Sequence, residues 1–259
     1  MLFQYLRYLL RAKTRHGIHS PFVYAFIEDI LHDNTHYSDY KTIEKQVAHL
    51  KQNRNVLEIV DFGAGKTTGK YRTYFKRVQE VAKISGITKK HGRLLYRIVK
   101  HYQPATMLEL GTSLGISTMY QAKGNANAQF TAVEGCASLA MIAQNSLDKT
   151  ECKNVSLKTA QFKTILPNIL AELNRPLDYA FIDGDHTYKG TMQYFEQLKK
   201  HVGDNSILVF HDIHWSKDME RAWNEITQDP AISISIDLYF MGIVFFKKAL
   251  SKQDFVLRF

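Results

Sequence analysis

Carboxylates and imidazoles in this chain cluster where apolar runs end, and their types suit ligand binding and proton transfer. The run Met107-Leu108-Glu109-Leu110-Gly111-Thr112-Ser113-Leu114-Gly115-Ile116-Ser117-Thr118 reads as a strand entering a glycine-rich turn that opens a helix. Glycine at 111 and 115 lets the backbone turn sharply and approach a ligand closely. A carboxylate at Glu109 can accept from a cationic amino group, and the helix N-terminus offers backbone N–H groups. A zwitterionic amino-acid moiety fits such a place. The G-x-x-x-G spacing differs from the G-x-G-x-x-G that brings backbone against a dinucleotide pyrophosphate, which speaks against NAD.

Four further runs carry chemistry. Phe130-Thr131-Ala132-Val133-Glu134 ends in an acid 23 residues after Gly111, where a Rossmann-like site offers a carboxylate to two ribose hydroxyls. Lys158-Thr159-Ala160-Gln161-Phe162 ends a third strand with polar and apolar groups that could flank an adenine. Asp178–Ile182 empties into Asp183, Asp185 and His186, and Ile207–Phe210 into His211, Asp212 and His214. In open α/β sheets the carboxyl ends of strands line one crevice, so these six side chains are expected to converge. Hard oxygen ligands with imidazole suit Mg²⁺, Mn²⁺ or a related divalent cation.

Through Glu109-Leu-Gly-Thr-Ser-x-Gly115, Glu134, Ala160-Gln161 and Phe-Ile-Asp183-Gly-Asp-His186-x-Tyr188, the chain resembles the class I S-adenosylmethionine-dependent methyltransferases. Within them it is most similar to the small-molecule O-methyltransferases of the catechol, macrolide and rhamnosyl types. The resemblance covers about 84–248. It implies that Glu109, Gly111, Ser113 and Gly115 border the methionine part of the cofactor, Glu134 its ribose and Gln161 its adenine, and that Thr112, Ser117 and Asp183 also bind the cofactor. It also implies metal ligands at Asp183 and Asp212. His186 stands where catechol-type enzymes carry a lysine base, and His211-Asp212 replaces their acidic pair. The chemistry implied is displacement at the sulfonium methyl by a hydroxyl of a small-molecule acceptor, with His186 or His211 as base beside Asp183.

The elements that must position these groups are legible as a pattern. Short β-rich runs alternate with helical ones, which argues a Rossmann-like α/β fold with a mostly parallel sheet. Seven strands are expected, near 106–110, 129–133, 154–158, 178–183, 206–210, 232–238 and 242–248. Helices are expected near 115–122, 137–148, 162–173, 188–200 and 216–228, with one more led by Leu94, Leu95, Ile98, Val99 and Tyr102. Only Tyr239 to Met241 separate the last two strands, too little for a crossover helix, so they must run antiparallel. Residues 1–83 read as a helical accessory segment and 84–259 as the methyltransferase domain.

Composition sets the outer bounds. At 259 residues, 45% hydrophobic and 23% charged, the chain can bury a sizeable core, which excludes a disordered protein. The net charge of +9 is spread over the chain, as at Lys89-Lys90, Lys199-Lys200 and Lys247-Lys248, and reads as solvated faces. A nucleic-acid-directed methyltransferase is an alternative, although the Asn-Pro-Pro-Tyr type of motif for base amines is missing. A P-loop-like nucleotide-binding protein is another, because Gly63-Ala-Gly-Lys-Thr-Thr68 carries a Gly-Lys-Thr. Val60 stands where that loop needs its first glycine. Two cysteines, Cys136 and Cys152, read as reduced thiols. No apolar run reaches the ~20 residues of a membrane-spanning helix. A cytoplasmic protein is expected, with the stripe Leu2, Phe3, Leu6, Leu9 and Leu10 packing on the domain or on a second subunit of a homodimer.

Overall fold

The computed structural model describes residues 2–62, 71–84 and 87–259. In chain order the helices are α1 (Leu2–Arg11), α2 (Pro21–Phe26), α3 (Ser38–Leu50), α4 (Val78–Ile84), α5 (Lys89–Tyr102), α6 (Ile116–Gly124), α7 (Ala137–Lys149), α8 (Phe162–Ala171), α9 (Tyr188–Leu198) and α10 (Lys217–Gln228). The strands are β1 (Val56–Asp61), β2 (Arg72–Arg77), β3 (Thr106–Leu110), β4 (Gln129–Glu134), β5 (Val155–Thr159), β6 (Leu177–Ile182), β7 (Val202–His211), β8 (Ile234–Asp237), β9 (Met241–Phe245) and β10 (Gln253–Val256). They divide between two compact units, one made of Met1–Leu31 with Pro167–Phe259 and the other of His32–Leu166.

In the His32–Leu166 unit, β4 lies between β3 and β5 and pairs in parallel with both. Every residue of β3 is buried, as expected of a parallel strand covered on both faces. Thr88 caps α5 by accepting from the His91 N–H at 3.2 Å, and Gln103 ends the helix in the left-handed region at φ 47°. The buried residues Leu94, Leu95, Ile98 and Val99 recur along α5 at helical spacing.

In the other unit, β6 pairs with β7 in parallel, β9 lies antiparallel between β7 and β8, and β10 joins β8 in parallel. The short β8–β9 connection therefore makes the antiparallel pair that its length demands. Phe195, Phe210 and Trp223 pack from α9, β7 and α10, with ring centroids 6.3 and 6.4 Å apart. From α1, Tyr5 and Tyr8 pack on Tyr239, whereas Leu6 and Leu10 stay exposed.

These two groups hold eight strands where seven are expected, the addition being β10. The accessory segment also differs from an all-helical one, because β1 and β2 form an antiparallel hairpin from Val56↔Arg77 to Asp61↔Arg72. Gly63-Lys66 and the rest of the P-loop-like run lie outside the described residues. No helix among the described residues is long and apolar enough to cross a membrane.

One packing contact gives a direct test. A Cβ on Gly92 of α5 would lie 2.4 Å from the Tyr120 ring of α6, which is 1% exposed and has no room to swing away. Gly92→Ala gains about 1 kcal/mol of helix propensity but meets an overpacking cost of about 1–3 kcal/mol. A net loss of stability in urea denaturation is the expected outcome.

Candidate functional site

In the His32–Leu166 unit the turn after β3 is fixed by hydrogen bonds to β4. Gly111 and Thr112 donate their N–H groups to Val133 O at 3.0 and 3.2 Å. Gly111 (φ 105°) and Gly115 (φ 82°) sit in backbone regions that L side chains rarely adopt, which explains the two glycines. Ser113 reaches φ 49° without being glycine, a conformation that the surrounding contacts must hold. Its N–H donates to Glu134 Oε2 at 2.7 Å, and Cys136 N–H donates to Glu134 Oε1 at 2.8 Å. The turn and the Glu134 carboxylate are thus neighbours.

Glu109 behaves differently from its expected exposure to a ligand. It is 0% exposed, and its carboxylate accepts from Thr118 Oγ1 and, at 2.8 Å, from Gln121 Nε2. Glu109 therefore fastens α6 to β3 from inside. Thr112 and Ser117 are buried as well, Thr112 Oγ1 donating to Val133 O at 3.3 Å. Gln161 lies just beyond β5, where its Nε2 donates to Tyr71 OH at 3.0 Å.

In the other unit, the ends of β6 and β7 bring Asp183 and His211 together. His211 Nδ1 lies 3.0 Å from Asp183 Oδ1, His186 Nε2 lies 3.6 Å from the same oxygen, and Asp212 Oδ2 lies 3.6 Å from His211 Nδ1. Burial pulls the His211 pKa down, but the Asp183 charge and hydrogen bond, with the Asp212 charge, outweigh it and raise it to about 9. Burial pushes Asp183 up, and the His211 charge and hydrogen bond together with the His186 charge bring it below its ordinary value. At neutral pH the pair is carboxylate and imidazolium. Asp185, His186 and Asp212 adopt positive φ angles of 66°, 43° and 56°, so local strain gathers at these tips.

Two of the six expected neighbours are turned elsewhere. Asp185 accepts from Thr187 Oγ1 at 3.0 Å and from Tyr194 OH at 3.1 Å, which ties it to the start of α9. His214 is held by Asp237 at 2.8 Å and Glu220 at 3.3 Å, with its ring stacked on Tyr239. The donors that remain do not fit the divalent cation expected at Asp183 and Asp212. Asp183 Oδ1 is already engaged by His211 Nδ1, and no group of three or more His, Cys, Asp or Glu suited to a metal occurs among the described residues. An unexpected neighbour is Trp215, half exposed, whose ring lies 5.7 Å from that of His186.

The glycine turn after β3 and the carboxylate at the end of β4 are the arrangement expected of a Rossmann-like α/β fold. Residues 108–213 match a family model described as a methyltransferase domain. A stretch of 101 residues is 30% identical to a catechol O-methyltransferase of Niastella koreensis, covering 38% of this chain and 46% of that protein, about half its length. An O-methyltransferase from Bacillus cereus, solved with S-adenosylhomocysteine, superposes with a TM-score of 0.55 at 18% identity over 86% of this chain and 97% of its own. The O-methyltransferase of tomaymycin synthesis from Streptomyces achromogenes, solved with S-adenosylmethionine, gives 0.53 at 18% identity over 61% and 81%. The family resemblance read from the motifs thus holds at the level of domain and fold.

The ion pair makes a pH-dependent contribution to stability with a definite sign. His211 is raised from 6.5 to about 9, so its contribution is complete below the lower value and disappears as pH climbs through the upper one. Urea denaturation across that window is expected to show the wild type losing stability relative to His211→Asn, in which the titrating group is gone.

Proposed function

We propose that the chain is an S-adenosylmethionine-dependent methyltransferase that methylates a hydroxyl of a small molecule, and that it works in the cytoplasm. The observation that carries this reading is the 2.7 Å bond from the Ser113 N–H to Glu134, inside a matched methyltransferase domain. A carboxylate has about four acceptor positions, so binding two backbone N–H groups is compatible with also accepting a ribose diol. The glycine turn then offers close backbone approach to the amino-acid end.

The bound sulfonium supplies an electrophilic methyl group; the protein supplies alignment and proton handling. Positioning of the acceptor oxygen accounts for much of the acceleration in such a displacement. His211, held protonated by Asp183, contributes positive charge that stabilises a developing oxyanion. His186, one quarter exposed and 3.6 Å from Asp183, takes the acceptor's proton, with Asp183 holding the resulting imidazolium. Trp215 gives the acceptor an apolar surface beside that base. No step is assigned to a metal ion.

At a hundredfold excess over Kd, S-adenosylhomocysteine is expected to add about 2.7 kcal/mol of stability to the wild type in a thermal shift, with no comparable effect from ATP or NAD. In a methyl-transfer assay, His186→Ala is expected to lower kcat about a hundredfold or more, while EDTA leaves turnover unchanged. A shift with ATP alone would instead support nucleotide binding.

A further inference from the structure

The β1–β2 hairpin lies outside the matched segment, yet it is fastened to the loop that follows Glu134. Val60 N–H donates to Cys136 Sγ at 3.4 Å, and Ser138 Oγ donates to Glu58 O at 2.6 Å. These bonds place Phe62, one residue past β1, against Gly135. A Cβ on Gly135 would lie 2.9 Å from Phe62 Cδ2, so the phenyl ring occupies the space that a side chain next to Glu134 would take. Tyr71, one residue before β2, meets Phe62 edge to face at 4.8 Å and accepts from Gln161 Nε2 at 3.0 Å. Both rings keep considerable exposure, 38% for Phe62 and 59% for Tyr71.

Exposed aromatic rings fixed at both ends beside a ribose-binding carboxylate have a chemical use. In a nucleoside the base is attached to the carbon next to the one carrying the 2′-hydroxyl. A diol held by Glu134 therefore brings the base within reach of groups packed on Gly135. We infer that Phe62 and Tyr71 form an aromatic wall for the adenine of the methyl donor, with Gln161 held by Tyr71 at its polar edge. Gly135 is required because any side chain there would displace the wall. This assignment rests on the methyl-donor reading and extends it to a hairpin outside the matched domain.

Calorimetric titration of the full chain with S-adenosylhomocysteine and with 5′-methylthioadenosine tests it. The second ligand keeps the adenosine and lacks the amino-acid end. Phe62→Ala and Tyr71→Ala are each expected to weaken both ligands by about tenfold, in the range of an aromatic–base stack. Phe62→Trp is expected to keep the affinity. Wild-type affinity in Phe62→Ala with an unchanged melting temperature would overturn the wall, as would a loss confined to S-adenosylhomocysteine. A wild-type chain that binds neither ligand removes the methyl-donor reading itself, and the wall with it.

Discussion

The candidate site depends first on a carboxylate held between two backbone N–H groups. Glu134 receives Ser113 from the turn after β3 and Cys136 from its own loop, so one side chain fixes two loops against each other. Hydrogen bonds to a charged acceptor contribute about 1.5–3 kcal/mol each, enough to offset the left-handed backbone at Ser113. Glu109 secures the first turns of α6 through Thr118 and Gln121. A turn clamped in this way can present its N–H groups with little reorganisation, which is what recognition by main chain requires.

The second pair is built by competition. Burial disfavours charge on both Asp183 and His211, yet their mutual attraction prevails and each favours the ionised form of the other. Of the two imidazoles beside Asp183, His186 is the more accessible and His211 the more enclosed. His214 stands apart from both, because its two carboxylate partners, Asp237 and Glu220, make it a clamp among α10, β8 and the loop after β7.

Much of this was legible in the sequence. The Gly111–Gly115 turn, the Glu134 strand end and the β6 and β7 tips follow from apolar runs that stop at polar residues, a local signal that folding preserves. The direction of Glu109 was not legible, because β3 is buried on both faces and alternation marks neither as the ligand side. β2 reads Arg-Thr-Tyr-Phe-Lys-Arg and carries no apolar alternation; it exists by pairing with β1, which in turn leans on Cys136 and Ser138 about 80 residues away. β10 is similarly polar and is recruited by β8, where Ser235 Oγ bonds Asp254 at 2.6 Å. His214 was misplaced for the same reason: Asp237, its nearer partner, lies 23 residues on.

The unit that holds Asp183 and His211 is interrupted in sequence, its first 31 residues being separated from the rest by the whole of His32–Leu166. Its two pieces meet where Lys13 bridges Leu257 and Tyr8 OH donates to Leu257 O. During synthesis the continuous unit can emerge and fold as a block. Tyr5 and Tyr8 of α1 must wait, uncovered, until Tyr239 and Leu257 have been made.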